Sequence, residues 1–152
     1  MVPSKIQIRK IKPQDTYVIR QQILRPGRPL AEVQFDGDLD NSAVHLGAFL
    51  NNDLVGIATY VKNSHSAFKV ENQYQLRGMA VLPEVQKMHI GQQLLQWGES
   101  YLKDHHKTGL IWCNARDSAI NFYKRNKYQT YGDFFDIPNV CTHIVMFKTI
   151  MG

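Results

Sequence analysis

The residues of this chain that could do chemistry fall in two stretches. The first is Arg77-Gly78-Met79-Ala80-Val81-Leu82-Pro83-Glu84-Val85-Gln86-Lys87-Met88-His89-Ile90-Gly91-Gln92-Gln93-Leu94-Leu95. It reads as a buried strand, a short turn and the opening of an amphipathic helix. The first amides of a helix have no intrahelical acceptor and point at whatever anion sits there. The helix dipole adds about half a positive charge at the same end. A phosphate or pyrophosphate is therefore expected at residues 86–91. The turn has neither the spacing of a Walker loop nor a dinucleotide-type glycine triplet, which argues against both nucleotide classes. An ordinary strand-to-helix connection is the competing reading.

The second stretch is Asn114-Ala115-Arg116-Asp117-Ser118-Ala119-Ile120-Asn121-Phe122-Tyr123-Lys124-Arg125-Asn126-Lys127-Tyr128. Asn114 ends a predicted strand, where a polar side chain reaches into a crevice or simply caps the strand. Tyr123 lies mid-helix beside Phe122, and a plain core aromatic is the alternative reading.

The elements that must position these residues follow from periodicity. Residues 5–11 alternate polar and apolar, as a half-buried strand does. Pro13 and Asp15 suit the first turn of a helix that continues to Leu24. Arg25-Pro26-Gly27-Arg28-Pro29 breaks it. Residues 30–42 carry Glu32, Asp36, Asp38 and Asp40 and read as an irregular functional loop with a short helix. Residues 43–50 and 54–62 form a hairpin around Asn51-Asn52-Asp53. Residues 63–72 are a polar connection. Strand 74–81 passes through Pro83-Glu84-Val85 into a helix from about Ile90 to His105, with Ile90, Leu94, Leu95, Tyr101 and Leu102 on its inner face. His105, His106 and Lys107 suit its negative end. A buried strand at 109–114 follows, then a helix capped by Asp117 or Ser118 and running to about Asn126. Strands 128–131 and 141–148, joined through 132–140, complete the chain. This order predicts an α/β fold with a mixed sheet and helices on its faces.

Bulk properties exclude several classes. The 152 residues suffice for one domain over 1–152. Hydrophobic content of 43% and charged content of 20% are ordinary for a soluble globular protein. No apolar run approaches the ~20 residues that span a bilayer. The N-terminus leads into an alternating segment and not a signal peptide, so the expected location is cytoplasmic with no membrane partner. Cys113 and Cys141 sit in apolar segments and are expected reduced and buried. The net charge is +5, with a pI near 9.2. Its basic residues are scattered, with no zinc-finger or RNA-binding signature, so a solvated basic surface is expected and no nucleic-acid partner. The six histidines are dispersed, with no His-x-x-x-His or Cys-x-x-Cys pair, so no metal is expected.

Together the two stretches resemble the GNAT superfamily of N-acetyltransferases. That family holds the pyrophosphate of acetyl-coenzyme A (acetyl-CoA) on a Gln/Arg-x-x-Gly-x-Gly/Ala turn. Gln86, Ile90 and Gly91 match it, and His89 stands at the first glycine. The family's Asn-Ala…Ala-x-x-Phe-Tyr-x-x-x-Gly-Phe/Tyr pattern is matched at Asn114, Ala115, Ala119, Phe122, Tyr123 and Tyr128. Lys127 stands at the glycine, a helix C-terminal position often left-handed. The likeness covers about residues 6–148. The tail Phe135-Asp136-Ile137-Pro138…His143 also resembles a subgroup of small bacterial GNAT proteins.

The resemblance implies a GNAT fold of about seven strands, helices on both faces and a splayed pair of central parallel strands, here 74–81 and 109–114. It implies acetyl-CoA as cofactor, held by Met79, Ala80, Val81, Gln86, Lys87, Met88, His89, Ile90, Gly91, Gln92, Asn114, Ala119, Phe122 and Tyr123. Backbone groups at Met79, Ala80 and Val81 would pair with pantetheine like an added strand and polarise the thioester carbonyl. The implied reaction moves acetyl to a primary amine, of a small molecule or of a peptide lysine or N-terminus, by direct attack in a ternary complex. An alkyl amine of pKa ~10.4 is neutral in only about one part in a thousand at neutral pH, so a base is needed. Tyr123 matches the family's general acid; a phenol of pKa ~10 can donate to a thiolate whose thiol titrates near ~8.5. For the base, His143, Glu71, Asp136 and the acidic loop are available, and His143 is the candidate carried forward. Strand alternation sets His143 beside Val145 and Phe147, where a satisfied, partly buried histidine is the alternative. Glu32 and Asp36 are candidates to recognise a cationic amine. A homodimer fits the family. The rival reading is a non-catalytic acyl-CoA-binding module, kept open by His89 and Lys127.

Overall fold

A computed structural model describes residues 5–138 and 140–150. Its strands are β1 (Ile6–Lys10), β2 (Val44–Leu50), β3 (Asp53–Lys62), β4 (Gln73–Val81), β5 (Leu110–Arg116), β6 (Gln129–Asp136) and β7 (Thr142–Thr149). Its α-helices are α1 (Tyr17–Ile19), α2 (Ile90–His106) and α3 (Ile120–Arg125). The strands form one seven-stranded mixed sheet in the order β1-β2-β3-β4-β5-β7-β6. The β4–β5 pair is parallel, whereas β5–β7 and β6–β7 are antiparallel. The chain divides into two compact units, one of residues up to 61 with 78–98, the other of 62–77 with the residues from 99 on.

In the first unit, β1 pairs antiparallel with β2 from Ile6↔Leu50 to Lys10↔Leu46. The β2–β3 hairpin closes with Leu50 opposite Asp53. Asn51 (φ 52) and Asn52 (φ 71) are both left-handed, as the favoured two-residue turn requires, and asparagine tolerates that region best after glycine. The helix expected up to Leu24 is broken into a 3-10 turn (Pro13–Thr16), α1 and a π turn (Arg20–Leu24). The regular repeat gives way where Arg20 turns inward and becomes fully buried.

Arg20 is a hub. Its Nη1 donates to the Val33 carbonyl at 2.7 Å and to Asp38 Oδ2 at 2.6 Å. Its Nη2 donates to Asp38 Oδ1 at 3.0 Å and to Thr59 Oγ1 at 2.8 Å. His45 joins through Nδ1, 2.8 Å from Thr59 Oγ1, and Nε2, 2.8 Å from the Asp38 carbonyl. A carbonyl only accepts, so Nε2 carries the proton and the Thr59 hydroxyl donates to Nδ1. His45 is thus wired as a neutral imidazole, and burial lowers its pKa. The ring of Phe35 lies 4.2 Å from the guanidinium, and the Phe35 amide donates to Asp38 at 2.8 Å. Residues 30–42 are therefore stitched to β3 and do not form a loose acidic loop. Asp38 serves structure, and Glu32 pairs with Arg28 at the surface. The same hub abuts β4. Gly78 is left-handed (φ 63), and a Cβ there would lie 2.9 Å from the Phe35 ring and 3.1 Å from Arg20 Nε. Only glycine meets both conditions.

In the second unit, the first four residues of β4, Gln73 to Leu76, pair with Leu110 to Cys113. The other edge of β5 pairs with β7 along its whole length, to Arg116↔His143. The strand runs two residues past Asn114, which is therefore inside the strand and yet exposed. Leu110, Trp112 and Val145 form a core layer with Phe68 and Phe147. Gln73 ties down the 63–72 connection, accepting from the His65 amide at 2.8 Å and donating to the Phe68 and Val70 carbonyls. Residues 132–136, expected in a connection, continue β6 across a register shift between Tyr131 and Phe135, with Gly132 left-handed at the bulge. The cap expected from Asp117 or Ser118 is absent. A 3-10 turn (Asp117–Ala119) precedes α3, and neither N-cap residue, Arg116 for the turn or Ala119 for α3, makes a side-chain cap bond. At the other end, Lys127 N–H donates to Lys124 O and Tyr128 N–H to Tyr123 O, a Schellman closure with Lys127 left-handed at φ 74.

Two outcomes are expected. Lys127→Gly should raise unfolding free energy by about 1 kcal/mol in urea titration, because a side chain is disfavoured in the left-handed region. A loss of stability would contradict this account of the helix end. His45, with a lowered folded-state pKa, contributes stability that is full above its unfolded value of ~6.5 and is lost as pH falls toward the folded value. Unfolding free energy should decline below that pH by at most about 1.4 kcal/mol per unit from this group, and His45→Asn should flatten the decline. An unchanged slope in the variant would remove His45 as its source.

Candidate active site

The phosphate-turn residues all lie in the first unit. β4 delivers Met79 and Val81 half-buried and Ala80 buried. The Leu82 amide donates to the Val55 carbonyl at 2.9 Å, fixing the strand's exit. A 3-10 helix (Pro83–Met88) follows, longer than the expected turn, with Val85 buried. Gln86 folds back, its Nε2 donating to the Val81 carbonyl at 3.2 Å. His89 then sits at φ 58, ψ 29, in the left-handed region. A helical residue followed by a left-handed one is the backbone pattern of an anion-binding nest, and here the Met88 amide belongs to the 3-10 repeat, which leaves those of His89 and Ile90 for it. The first intrahelical donor of α2 is Gln93, bonding the His89 carbonyl at 3.1 Å. The amides of Ile90, Gly91 and Gln92 precede it and have no intrahelical acceptor. Ile90 buries its side chain completely, while Lys87, His89 and Gln92 are exposed around the turn.

Sequence reasoning located these amides but missed the nest, because the usual marker of a left-handed position is glycine and here it is histidine. Histidine is among the residues that enter this region more readily. At both glycine positions of the family pattern, 89 and 127, the chain has positive φ with a non-glycine residue.

The proton-transfer candidates lie in the second unit. Tyr123 is buried on α3, its ring edge-on to Phe122 (5.2 Å) and Tyr128 (5.5 Å). Tyr128 is anchored in turn, its hydroxyl 3.1 Å from Glu99, which also takes Lys148 Nζ at 2.7 Å. Cys113 on β5 is buried as well. Burial pushes the Cys113 thiol up to about 12, against the lowering effect of Tyr123 and the Met146 amide. Both cysteines are free thiols, but Cys141 is only partly buried.

Side chains alternate along a strand, so Asn114 faces away from Cys113. The register Asn114↔Val145 and Arg116↔His143 puts Asn114 and His143 on one face of the sheet. His143 is buried, as alternation suggested. Its Nδ1 lies 2.7 Å from the Cys141 carbonyl, which assigns the proton to Nδ1 and the basic lone pair to Nε2. Its ring stacks on Phe135 at 5.9 Å. Ala119 ends the 3-10 turn before α3, and Phe122 is half-buried. Asp136 accepts from the Thr142 hydroxyl at 2.6 Å, and Glu71 is exposed. Among the described residues, no group of three or more His, Cys, Asp or Glu could hold a metal ion, and no helix is long and apolar enough to cross a membrane.

Comparison with known proteins agrees with this architecture. The family described as "Acetyltransferase (GNAT) family" matches residues 12–128. An "Uncharacterized N-acetyltransferase YitI" of Bacillus subtilis is 32% identical over 145 residues, covering 95% of this chain and 97% of that protein. Among solved structures, Escherichia coli ElaA superposes with a TM-score of 0.76 at 15% identity, covering 95% of this chain and 99% of ElaA. An aminoglycoside 6'-N-acetyltransferase complexed with coenzyme A gives 0.75 at 14% identity, covering 96% and 98%. At such identities the structures share the fold alone, whereas the family match and the Bacillus relative concern the sequence itself. The strand-to-helix turn and the α3 tyrosine thus sit within a chain that belongs to the GNAT family of acetyltransferases.

Proposed function

We propose that this enzyme transfers an acetyl group from acetyl-CoA to a primary amine, on a small molecule or a peptide, by direct attack in a ternary complex. The observation that carries the reading is the nest at Met88–His89 running into the unspent amides of α2. The amides of His89, Ile90, Gly91 and Gln92, with the Lys87 and His89 side chains beside them, suit the charge of a diphosphate. Gln86 and Gly91 complete the turn, and glycine leaves the helix surface open where the phosphates would approach. Met79, Ala80 and Val81 are assigned to the pantetheine arm, and the left-handed Gly78 interrupts the strand just before them. Asn114, Ala119 and Phe122 are assigned to the same ligand.

Acetyl-CoA supplies an activated acyl carbon and a thiolate leaving group. A backbone N–H of the Met79–Val81 segment is assigned to the oxyanion that forms on attack. Tyr123 gives its phenolic proton to the departing sulfur. His143, through Nε2, is assigned to take the proton from the attacking nitrogen. Asp36 and Asp40, exposed beside Leu39, favour a cationic acceptor with an apolar portion. Pairing of two copies along β6, an edge strand with Tyr131 and Phe134 exposed, and a cytoplasmic location belong to the same reading.

Acetyl-CoA at about 100 times its dissociation constant should stabilise the protein by about 2.7 kcal/mol, seen as a raised melting temperature. Gly91→Asp, which sets a carboxylate against the phosphates, should remove most of that shift. No shift for the native chain at millimolar ligand would contradict the site. Tyr123→Phe should lower kcat about 100-fold in a thiol-release assay while KM for acetyl-CoA stays within about twofold. Equal losses in both would reassign Tyr123 to binding.

A further inference from the structure

We propose that Asp38 is a positioning residue for the Met79–Val81 backbone, an inference that rests on assigning that segment to the pantetheine arm. The Asp38 carboxylate is buried. Its Oδ1 accepts from Arg20 Nη2 at 3.0 Å, and its Oδ2 accepts from Arg20 Nη1 at 2.6 Å and from the Phe35 amide at 2.8 Å. One carboxylate therefore fixes two residues, and those two meet again at β4. A Cβ on Gly78 would stand 2.9 Å from the Phe35 ring and 3.1 Å from Arg20 Nε. The Val33 carbonyl and the Thr59 hydroxyl take the remaining bonds of the guanidinium, and the Phe35 ring lies against it at 4.2 Å.

Glycine permits the left-handed conformation at residue 78 (φ 63) but does not enforce it, because it enters other regions as readily. The register of β4 on β5 runs only to Leu76↔Cys113, so that ladder does not hold Gly78 either. The restraint comes from the two walls, Phe35 and Arg20. Arg20 Nε is buried and makes no hydrogen bond, so it confines β4 by contact. A contact restrains a strand only as well as its own atoms are held, and the atoms of both walls are held through Asp38. The torsions of Gly78 decide where the next amides and carbonyls point. Those groups act on a ligand within narrow limits, and a misplacement of about 1 Å can cost about 100-fold. Asparagine at 38 would keep the shape and lose the function. Its amide has one accepting oxygen and one donating nitrogen. In either orientation the nitrogen faces a donor, from Arg20 alone or from Arg20 and the Phe35 amide.

The test compares the native chain with Asp38→Asn, Phe35→Leu, Gly78→Ala and Ile8→Ala. Phe35→Leu keeps the ion pair and the amide bond to Asp38 and removes only the ring, so it reads the same device if Asp38→Asn folds poorly. Ile8→Ala thins the packing of β1, which β2 and β3 separate from β4, and controls for lost stability. The first readout is the amide NMR spectrum without ligand. Asp38→Asn and Phe35→Leu should move the signals of Met79, Ala80 and Val81, and Ile8→Ala should leave them in place. The second readout is calorimetric affinity for coenzyme A and for ADP, which has a diphosphate and no pantetheine arm. Asp38→Asn should weaken coenzyme A about tenfold and leave ADP within about twofold, with Phe35→Leu in the same direction. Gly78→Ala combined with Asp38→Asn should weaken coenzyme A no further than the worse single variant, since both act at one place. Unmoved Met79–Val81 signals overturn the inference, as does a coenzyme A to ADP affinity ratio that Asp38→Asn leaves at its native value. Equal losses for both ligands, or the same change of ratio in Ile8→Ala, make Asp38 a general stabiliser and overturn it too. Losses that multiply in the double variant place the action of Asp38 away from Gly78 and overturn it likewise. Coenzyme A that binds the native chain no better than ADP would instead overturn the underlying pantetheine assignment.

Discussion

Every α-helix leaves its first amides without intrahelical acceptors, and this constraint organises the turn from β4 into α2 in the first unit. In most helices a side-chain cap absorbs some of those donors. Here the residue before α2 is His89 in a left-handed conformation, which adds its own amide to the set. The result is a concentration of N–H dipoles with lysine and histidine at its rim. Such a site is preorganised: the donors are backbone groups of a 3-10 helix and a 17-residue α-helix, anchored by buried Val85 and Ile90. Little conformational entropy remains to be lost when an anion arrives.

The strand that feeds this turn is held in an unusual way. Gly78 takes a left-handed conformation that side chains rarely adopt, and the space its missing Cβ leaves is occupied by Phe35 and Arg20. Arg20 in turn is buried with Asp38, Thr59 and the Val33 carbonyl, and His45 closes the network. A buried ion pair gives little net stability against an apolar substitute, but losing one partner costs about 3–5 kcal/mol. The network therefore acts as a specifier: it allows one path for residues 30–42 and one for β4 at Gly78. Acidification threatens the arrangement at His45, the member whose charging would leave the Thr59 hydroxyl without its acceptor.

Much of the fold was legible because its signals are local. The Asn51-Asn52 turn, the 17-residue amphipathic α2 and the alternation of β1 depend on neighbours in sequence, and each was read within a residue or two. The failures share a cause. The first helix broke because Arg20 finds its partners 13 to 39 residues away, which no periodicity encodes. β6 was read short because Gly132 and Asp133 are turn residues by composition, and only pairing with β7 carries the strand across the bulge. The acidic character of residues 30–42 was visible, but Asp38 belongs to Arg20 and Glu32 to Arg28. In the site, Gln86, Gly91 and Tyr123 could be named from motif. The left-handed turn at His89 could not, since it hides behind a non-glycine residue.

The central claim is that backbone amides at residues 89–92 grip a diphosphate. Amide-resolved NMR of the nitrogen-15-labelled chain, titrated with coenzyme A and separately with pantetheine, tests it most directly. Coenzyme A is predicted to shift the amides of His89, Ile90, Gly91 and Gln92 strongly, and pantetheine, which lacks the diphosphate, to leave them in place. Saturation with coenzyme A while those four signals stay still would contradict the account.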